Sequence, residues 1–195
     1  MLAVAEKVIS DVAQLAGESL TLLCEPSDTG LPGLGALITQ LAETELRSLF
    51  LSLPSSELCG WKNLSGGLQE ETIGSSLLLP DDFLRLGELR LSGWERSVTV
   101  IKYTESLEYV LCGRRLRGPA PSRHRPAAFL VPSPQGRKLL LYPAGGSDVI
   151  SAGYYLPQPS LTGAGVEILP EVYDRLISNV ASHISPGPTV LATIR

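Results

Sequence analysis

The segment of residues 170–184 carries the apolar pattern that most constrains this fold. Val172, Leu176 and Val180 recur at intervals of four residues, and this spacing places their side chains along one side of an α-helix. Such a stripe needs cover from other elements. The chain must therefore supply further apolar surfaces that pack against this C-terminal helix.

Two segments near the start of the chain supply candidate surfaces. Residues 2–16 have apolar side chains at helical spacing, and Gly17 follows as a typical helix stop. A second helix is predicted from residue 34 toward residue 50. Its apolar face contains Leu34, Leu37, Ile38 and Leu41.

A short pattern occurs twice, as "LPDDFLRL" at residues 79–86 and as "LPEVYDRL" at residues 169–176. Both copies read Leu-Pro-acid-x-aromatic-x-Arg-Leu. Proline is tolerated in the first turn of a helix, and acidic side chains there complement the free N–H groups. We therefore predict that both copies open a helix, and we assign Asp81 and Asp82 to helix initiation rather than to acid/base chemistry.

The middle of the chain has the short apolar runs and turn residues of β-structure. The runs "AAFLV" and "RKLLLYP", separated by "PSPQG", predict a hairpin, and "DVISAGYYLPQP" predicts a strand that ends at Pro157. A further short helix could begin at Thr104 and continue to Leu111. Other short strands are predicted at residues 77–79, 88–91 and 98–102.

These elements predict an α+β fold, with an N-terminal helix pair, a C-terminal helix and a central antiparallel β-rich portion. The 195 residues suffice for a single domain over 1–195. We divide it into a helical part (1–54 and 170–184), a β-rich part (72–168) and a C-terminal arm (185–195). Strands do not alternate with long helices as they would in a parallel nucleotide-binding sheet.

Composition excludes several classes of protein. The formal net charge of −4 and the pI of about 5.2 argue against a general nucleic-acid coat. Cys24, Cys59 and Cys112 are an odd number without close pairing, which favours a reducing compartment over a disulfide scaffold. Neither a signal peptide nor a transmembrane span is predicted, so we expect no membrane partner.

Catalytic motifs are missing from the sequence. It contains no P-loop and no Gly-x-Ser-x-Gly elbow, and His124 and His183 lack the spacing of zinc ligands. A Cys–His or Ser–His pair brought together by folding stays open. We predict no catalytic, cofactor-binding or metal-binding residues, and no enzyme activity.

The candidate partner contacts are basic and aromatic. Residues 113–125, "GRRLRGPAPSRHR", place five arginines in a segment broken by proline, where forked guanidinium groups can bind carboxylates or phosphates. A solvated loop is the competing interpretation. Of the neighbouring Tyr154 and Tyr155, one ring should face the core and one the solvent, and we select Tyr155 as the interface anchor. The arginine candidates are Arg114, Arg115, Arg117, Arg123 and Arg125.

The order of these motifs resembles the head-to-tail adaptor, or connector ring, proteins of short-tailed phages and related prophages. The resemblance lies in the two N-terminal helices, "LLLPDDFLRLGEL" leading to a strand, "RKLLLYPAGGSDVISAGYYLPQP", and "LPEVYDRLISNVASHI" as the closing helix. It covers most of the chain as an order of elements. Each motif alone is weak, and their order carries the specificity.

The resemblance implies a non-enzymatic virion protein of the phage neck, assembled in the cytoplasm of a bacterial host. Such a subunit forms a homo-oligomeric ring, dodecameric by resemblance, that binds the portal protein and other neck or tail proteins, with packaged DNA in the channel. The apolar ending "TVLATIR" and the arginine segment depart from the family pattern, so the chain could also form a different ring of the same neck. Outside the phage neck, a stand-alone intracellular interaction domain comes next, and a hydrolase third.

Overall fold

A computed structural model of the chain describes residues 1–16, 33–72, 74–106, 109–110 and 121–184. It confirms the α+β fold. The helices are α1 (Ala5–Ala16), α2 (Leu34–Ser52) and α3 (Pro170–Ile184), with a short 3₁₀ turn at Ser55–Glu57. The strands are β1 (Leu2–Ala3), β2 (Lys62–Asn63), β3 (Gln69–Glu70), β4 (Ser75–Leu78), β5 (Phe83–Leu91), β6 (Ile101–Tyr103), β7 (Ala127–Ser133), β8 (Gly136–Tyr142), β9 (Ile150–Pro157) and β10 (Val166–Glu167).

The strands pair into three sheets. β1 pairs with β10, β9 lies between β2 and β5, and a five-stranded sheet has the order β3-β4-β8-β7-β6. Pairing is antiparallel as predicted, except that β6 runs parallel to β7. The predicted hairpin is confirmed as β7 and β8, and the predicted strand ending at Pro157 is confirmed as β9.

The chain divides into two compact units. The helical unit comprises Met1–Gly60 and Pro159–Arg195, and the β-rich unit comprises Trp61–Gln158. Their bounds differ from those of the predicted helical part (1–54 and 170–184) and β-rich part (72–168). The prediction of one domain over 1–195 concerns how the chain folds, and it stays a prediction.

The helical unit is built from both ends of the sequence. α1, α2 and α3 pack against one another in pairs, and the Ile168 amide donates to the Met1 carbonyl (2.8 Å) beside the β1–β10 pair. The C-terminal helix spans the predicted residues, and its apolar stripe is buried as expected. The buried side chains of α3 are Val172, Tyr173, Leu176, Ile177, Val180 and Ala181.

The β-rich unit has its own apolar core. Side chains from β5 and β9 of the three-stranded sheet and from β4, β7 and β8 of the five-stranded sheet meet in one cluster. Trp94 belongs to this cluster, and its indole N–H donates to the Pro143 carbonyl (2.5 Å), so its polar atom is satisfied. Phe129 and Leu140 form a smaller cluster with Ala127, with Tyr109 edge-on to Phe129.

The first Leu-Pro-acid segment does not open a helix, so the prediction for Asp81 and Asp82 was wrong. Both residues lie in a tight turn, closed by the Phe83 amide donating to the Pro80 carbonyl at 3.0 Å. The chain then continues directly as β5. The second segment does open a helix, since α3 begins at Pro170.

Two β-bulges explain why β5 looks helical in sequence. The register to β9 shifts three times, and the first two shifts, between Phe83 and Arg85 and between Leu86 and Glu88, each add a residue to β5. Each bulge adds a residue to one strand, so buried side chains recur every three residues, at Phe83, Leu86 and Leu89. That interval imitates one face of an α-helix, and periodicity alone does not separate the two.

Several predictions fall outside the described residues. These are the C-terminal arm at 185–195, the environments of Cys24 and Cys112, and three of the five arginines, Arg114, Arg115 and Arg117. The helix predicted from Thr104 to Leu111 is described only in part, with a turn at Thr104 and helical geometry at Tyr109 and Val110.

Candidate functional site

Asp82 joins three elements of the β-rich unit. One carboxylate oxygen, Oδ2, accepts a hydrogen bond from Lys62 Nζ at 2.7 Å, and the other, Oδ1, accepts one from the Tyr155 hydroxyl at 2.9 Å. Its backbone carbonyl accepts from the Gln158 amide at 2.6 Å. The carboxylate therefore holds β2 and β9 to the turn before β5, which is a structural role.

The protonation states of this cluster follow from its contacts. Partial burial raises the pKa of Asp82, but hydrogen bonds from Lys62 and Tyr155 and the positive charge of Lys62 outweigh burial, so the pKa is lowered overall. Burial and the Asp82 carboxylate raise the pKa of Tyr155 to about 12. Asp82 is thus a stable acceptor and Tyr155 a stable donor at neutral pH.

Replacing Asp82 with Asn is expected to lower the free energy of unfolding at neutral pH by about 1 kcal/mol, because a partly exposed ion pair and one hydrogen bond are weakened. The pKa of Asp82 is lower in the folded state, so its stabilisation is present above the unfolded-state pKa and is lost as the pH falls through the folded-state value. Urea unfolding curves of the two proteins should therefore converge in acid.

Asp81→Asn is the matched control, since Asp81 is exposed in the same turn and loses the same charge. Its stability should stay close to that of the wild type. If the Asp82→Asn difference persisted unchanged into strong acid, the role assigned to the carboxylate would be incorrect.

The two tyrosines of β9 lie on opposite sides of their strand. Tyr154 is 44% exposed and Tyr155 is 5% exposed, which confirms that one ring faces the core and one the solvent. Tyr155 stacks on Phe83 with ring centroids 5.6 Å apart. The selection of Tyr155 as an interface anchor is therefore corrected: its ring is part of the core, and Tyr154 presents the accessible ring.

The described end of the arginine segment forms a surface turn. Ser122 and Arg125 exchange backbone hydrogen bonds of 3.0 and 2.9 Å, and the Glu95 amide donates to the Arg123 carbonyl at 3.0 Å. The Glu95 carboxylate also lies 2.5 Å from Nδ1 of His124. Arg123 and Arg125 are both exposed, so this turn presents two guanidinium groups on a fixed backbone.

An exposed apolar strip on α2 was not expected from the sequence. We call the side of α2 that faces away from its buried residues the outer face of α2, and it contains Leu37, Leu41, Thr44, Ser48 and Leu51. Its three leucines are between 40% and 52% exposed. The sequence placed Leu34, Leu37, Ile38 and Leu41 on one face. Ile38 is buried, whereas Leu37 and Leu41 are exposed and Leu34 is half-buried.

The spacing of these residues is the signal that could have revealed the outer face. The buried residues of α2 recur every three or four residues, and the residues of the outer face recur at the same intervals on the opposite side. The buried residues are Gly35, Ile38, Ala42, Leu46 and Phe50. Apolar side chains on both sides of a helix indicate that both sides are covered. The outer face is therefore the strongest candidate contact surface of the helical unit.

A shallow depression of about 570 Å³ lies between α1 and α3. At its side the Tyr173 hydroxyl donates to Asp11 Oδ2 at 2.6 Å, and Lys7 lies 4.9 Å from the centre of the Tyr173 ring. Burial, and then the Asp11 carboxylate, raise the pKa of Tyr173 well above its ordinary range. These contacts tie α1 to α3.

Cys59 is partly buried, and its thiol donates to the Glu167 carbonyl at 3.1 Å. Burial, followed by the Glu167 carboxylate, raises the pKa of this thiol, which disfavours the reactive thiolate. Within the described part of the chain, no group of three or more His, Cys, Asp or Glu side chains is placed to hold a metal ion. None of the described helices is both long enough and apolar enough to cross a membrane.

Neither the protein-family models nor the curated proteins contain a match to the chain.

Proposed function

We propose that this chain is a structural subunit of the neck of a tailed phage, where copies form a ring that docks to the portal and connects it to the tail. The order of helices and strands along the chain motivates the proposal. The observation that supports it best is the division into a helical unit and a β-rich unit, each with its own core. An adaptor must bind different partners above and below itself, and two units offer two separate surfaces.

The exposed residues of each unit suit protein contacts. The helical unit presents the outer face of α2, which carries three exposed leucines and no charge. The β-rich unit presents Tyr154, Arg123 and Arg125, and tyrosine and arginine are enriched at the centres of protein interfaces. We assign the arginines to protein contact before packaged DNA, because a channel lined by an acidic subunit lets DNA pass without adhering.

A stand-alone interaction domain is the second candidate, since the same surfaces could bind unrelated intracellular proteins. The two candidates differ in one partner, the portal. A direct binding experiment therefore separates them.

The test mixes the purified chain with the portal protein encoded by the same genome and images the complexes by electron cryomicroscopy. We expect an added ring of this chain beneath the portal. When the next neck protein is added to the mixture, a variant with both Arg123→Ser and Arg125→Ser should still join the portal but recruit less of that protein. A folded chain that stays off the portal, and is missing from purified particles, would refute the proposal and favour the stand-alone domain.

A further inference from the structure

The outer face of α2 has the repeat of a coiled-coil seam. Its members, at positions 37, 41, 44, 48 and 51, are separated by four, three, four and three residues, and the half-buried Leu34 extends the series by three. Four of these six residues are leucines, and their spacing is that of the a and d positions of a heptad, which face the other helix in a coiled coil. Leu34, Leu41 and Ser48 take position a, and Leu37, Thr44 and Leu51 take position d.

The charges of α2 lie off this seam. Glu43 accepts a hydrogen bond from the Leu161 amide at 2.8 Å, and Glu45 accepts one from Asn179 Nδ2 at 2.5 Å, so both acids contact the helical unit itself. The Thr44 hydroxyl donates to the Gln40 carbonyl at 2.8 Å. Covering the seam would therefore bury no carboxylate and would leave the threonine hydroxyl with its donor satisfied.

We propose that the occupant of this seam is α2 of a second copy of the chain, packed antiparallel. In an antiparallel pair, the a positions of one helix lie level with the d positions of the other. The register that aligns residue 34 with residue 51 makes every layer contain a leucine. Its layers are Leu34 with the partner's Leu51, Leu37 with the partner's Ser48, and Leu41 with the partner's Thr44, each repeated by the twofold axis.

Two features favour this arrangement over others. A parallel pair in register would stack threonine on threonine and serine on serine in two successive layers, which leaves the middle of the seam without a large apolar side chain. In the antiparallel pair, Gln40 flanks the partner's Arg47, so no like charges oppose each other. An uncharged seam also lets two copies of an acidic chain meet without repulsion there.

The pairing goes beyond the proposed function. An isologous contact closes on itself, so it holds two copies and does not extend into a ring. The proposed pairing concerns the free chain. Before assembly, each copy covers the outer face of α2 of the other copy.

The first test is sedimentation velocity over a range of concentrations. The wild type should be a dimer, and Leu41→Glu should weaken the dimer at least about a hundredfold, because a carboxylate would enter an apolar layer. Leu15→Glu is the matched control: Leu15 is an exposed leucine on α1, away from the seam, and this variant should remain a dimer. A monomeric wild type, or an equal loss in both variants, would overturn the proposal.

The second test determines orientation. In a chain with its three native cysteines replaced by serine, Leu34→Cys and Leu51→Cys are made separately and treated with a short bifunctional maleimide. The antiparallel pair predicts cross-linked dimers only when the two variants are mixed, because residues 34 and 51 are level while like positions lie about 25 Å apart along the helix. Cross-linking of either variant with itself would overturn the antiparallel register.

These outcomes are separable from those of the proposed function. If the free chain is a monomer but binds the portal, the pairing is wrong and the proposed function stands. If the chain is the predicted dimer but never joins the portal, the pairing stands and the proposed function fails.

Discussion

Replacing Leu176 with Ala is expected to lower the free energy of unfolding of the helical unit by about 2–5 kcal/mol. Leu176 is fully buried in α3, which packs against both α1 and α2. Removing its side chain loses apolar burial and leaves a cavity among three helices. Urea unfolding followed by far-ultraviolet circular dichroism, which reports mainly on the helices, measures the loss.

Leu15→Ala is the matched control for this experiment. Leu15 lies on α1 of the same unit and is 61% exposed, so its truncation should change stability by less than about 0.5 kcal/mol. Equal stability of the Leu176→Ala variant and the wild type would show that α3 is not the covered centre of the helical unit.

Replacing Gly74 with Ala is expected to destabilise the β-rich unit by about 2–5 kcal/mol. Gly74 precedes β4 with φ at +86°, and a Cβ there would lie 2.2 Å from the carbonyl oxygen of Leu141 in β8. The obstructing atom is backbone of a paired strand, so relief requires β4 and β8 to move apart. Both tryptophans, Trp61 and Trp94, lie in this unit, so their fluorescence reports its unfolding.

The destabilisation by Gly74→Ala has two contributions, the strain of a positive φ and the contact with the Leu141 backbone. Gly163→Ala measures the first contribution alone. Gly163 also has a positive φ, +79°, but a Cβ there would meet no atom within 4 Å. Gly163 belongs to the helical unit, so the stability of this variant is followed by far-ultraviolet circular dichroism. It carries the backbone cost alone, about 1 kcal/mol. If the two substitutions had equal effects, the close approach between Gly74 and β8 would not contribute.

The sequence predicted those elements whose local pattern and tertiary environment agree. The pattern of α3 was correctly assigned, because its apolar period of four extends over several turns and is accompanied by a proline at the start and Glu171 in the first turn. The hairpin of β7 and β8 was equally clear, since its turn residues lie between two apolar runs.

Prediction failed where pairing between distant strands decides the local geometry. β5 depends on two bulges against β9, more than sixty residues away in sequence, and local periodicity contains no information about them. The choice between Tyr154 and Tyr155 failed for the same reason, because alternation shows that two neighbours face opposite ways but does not show which way is inward.

The candidate surface on α2 was hidden by a different effect. Leu37, Ile38 and Leu41 are close enough in sequence to be assigned to one apolar face. Only the contacts of Ile38 with the core reveal that the two leucines belong to a separate series. A helix with apolar side chains on two sides has no simple amphipathic pattern, so its two series must be separated by their spacing before the outer face can be recognised.

The division of the helical unit between both ends of the chain has a consequence for biosynthesis. A ribosome completes all strands of the β-rich unit by Gln158, before any of α3 exists. A chain released at that point could therefore close the core of the β-rich unit while α1 and α2 still lack the helix that covers them. Chains interrupted before Pro170 would carry a complete β-rich unit and two uncovered helices, and we expect cellular chaperones and proteases to recognise those helices first.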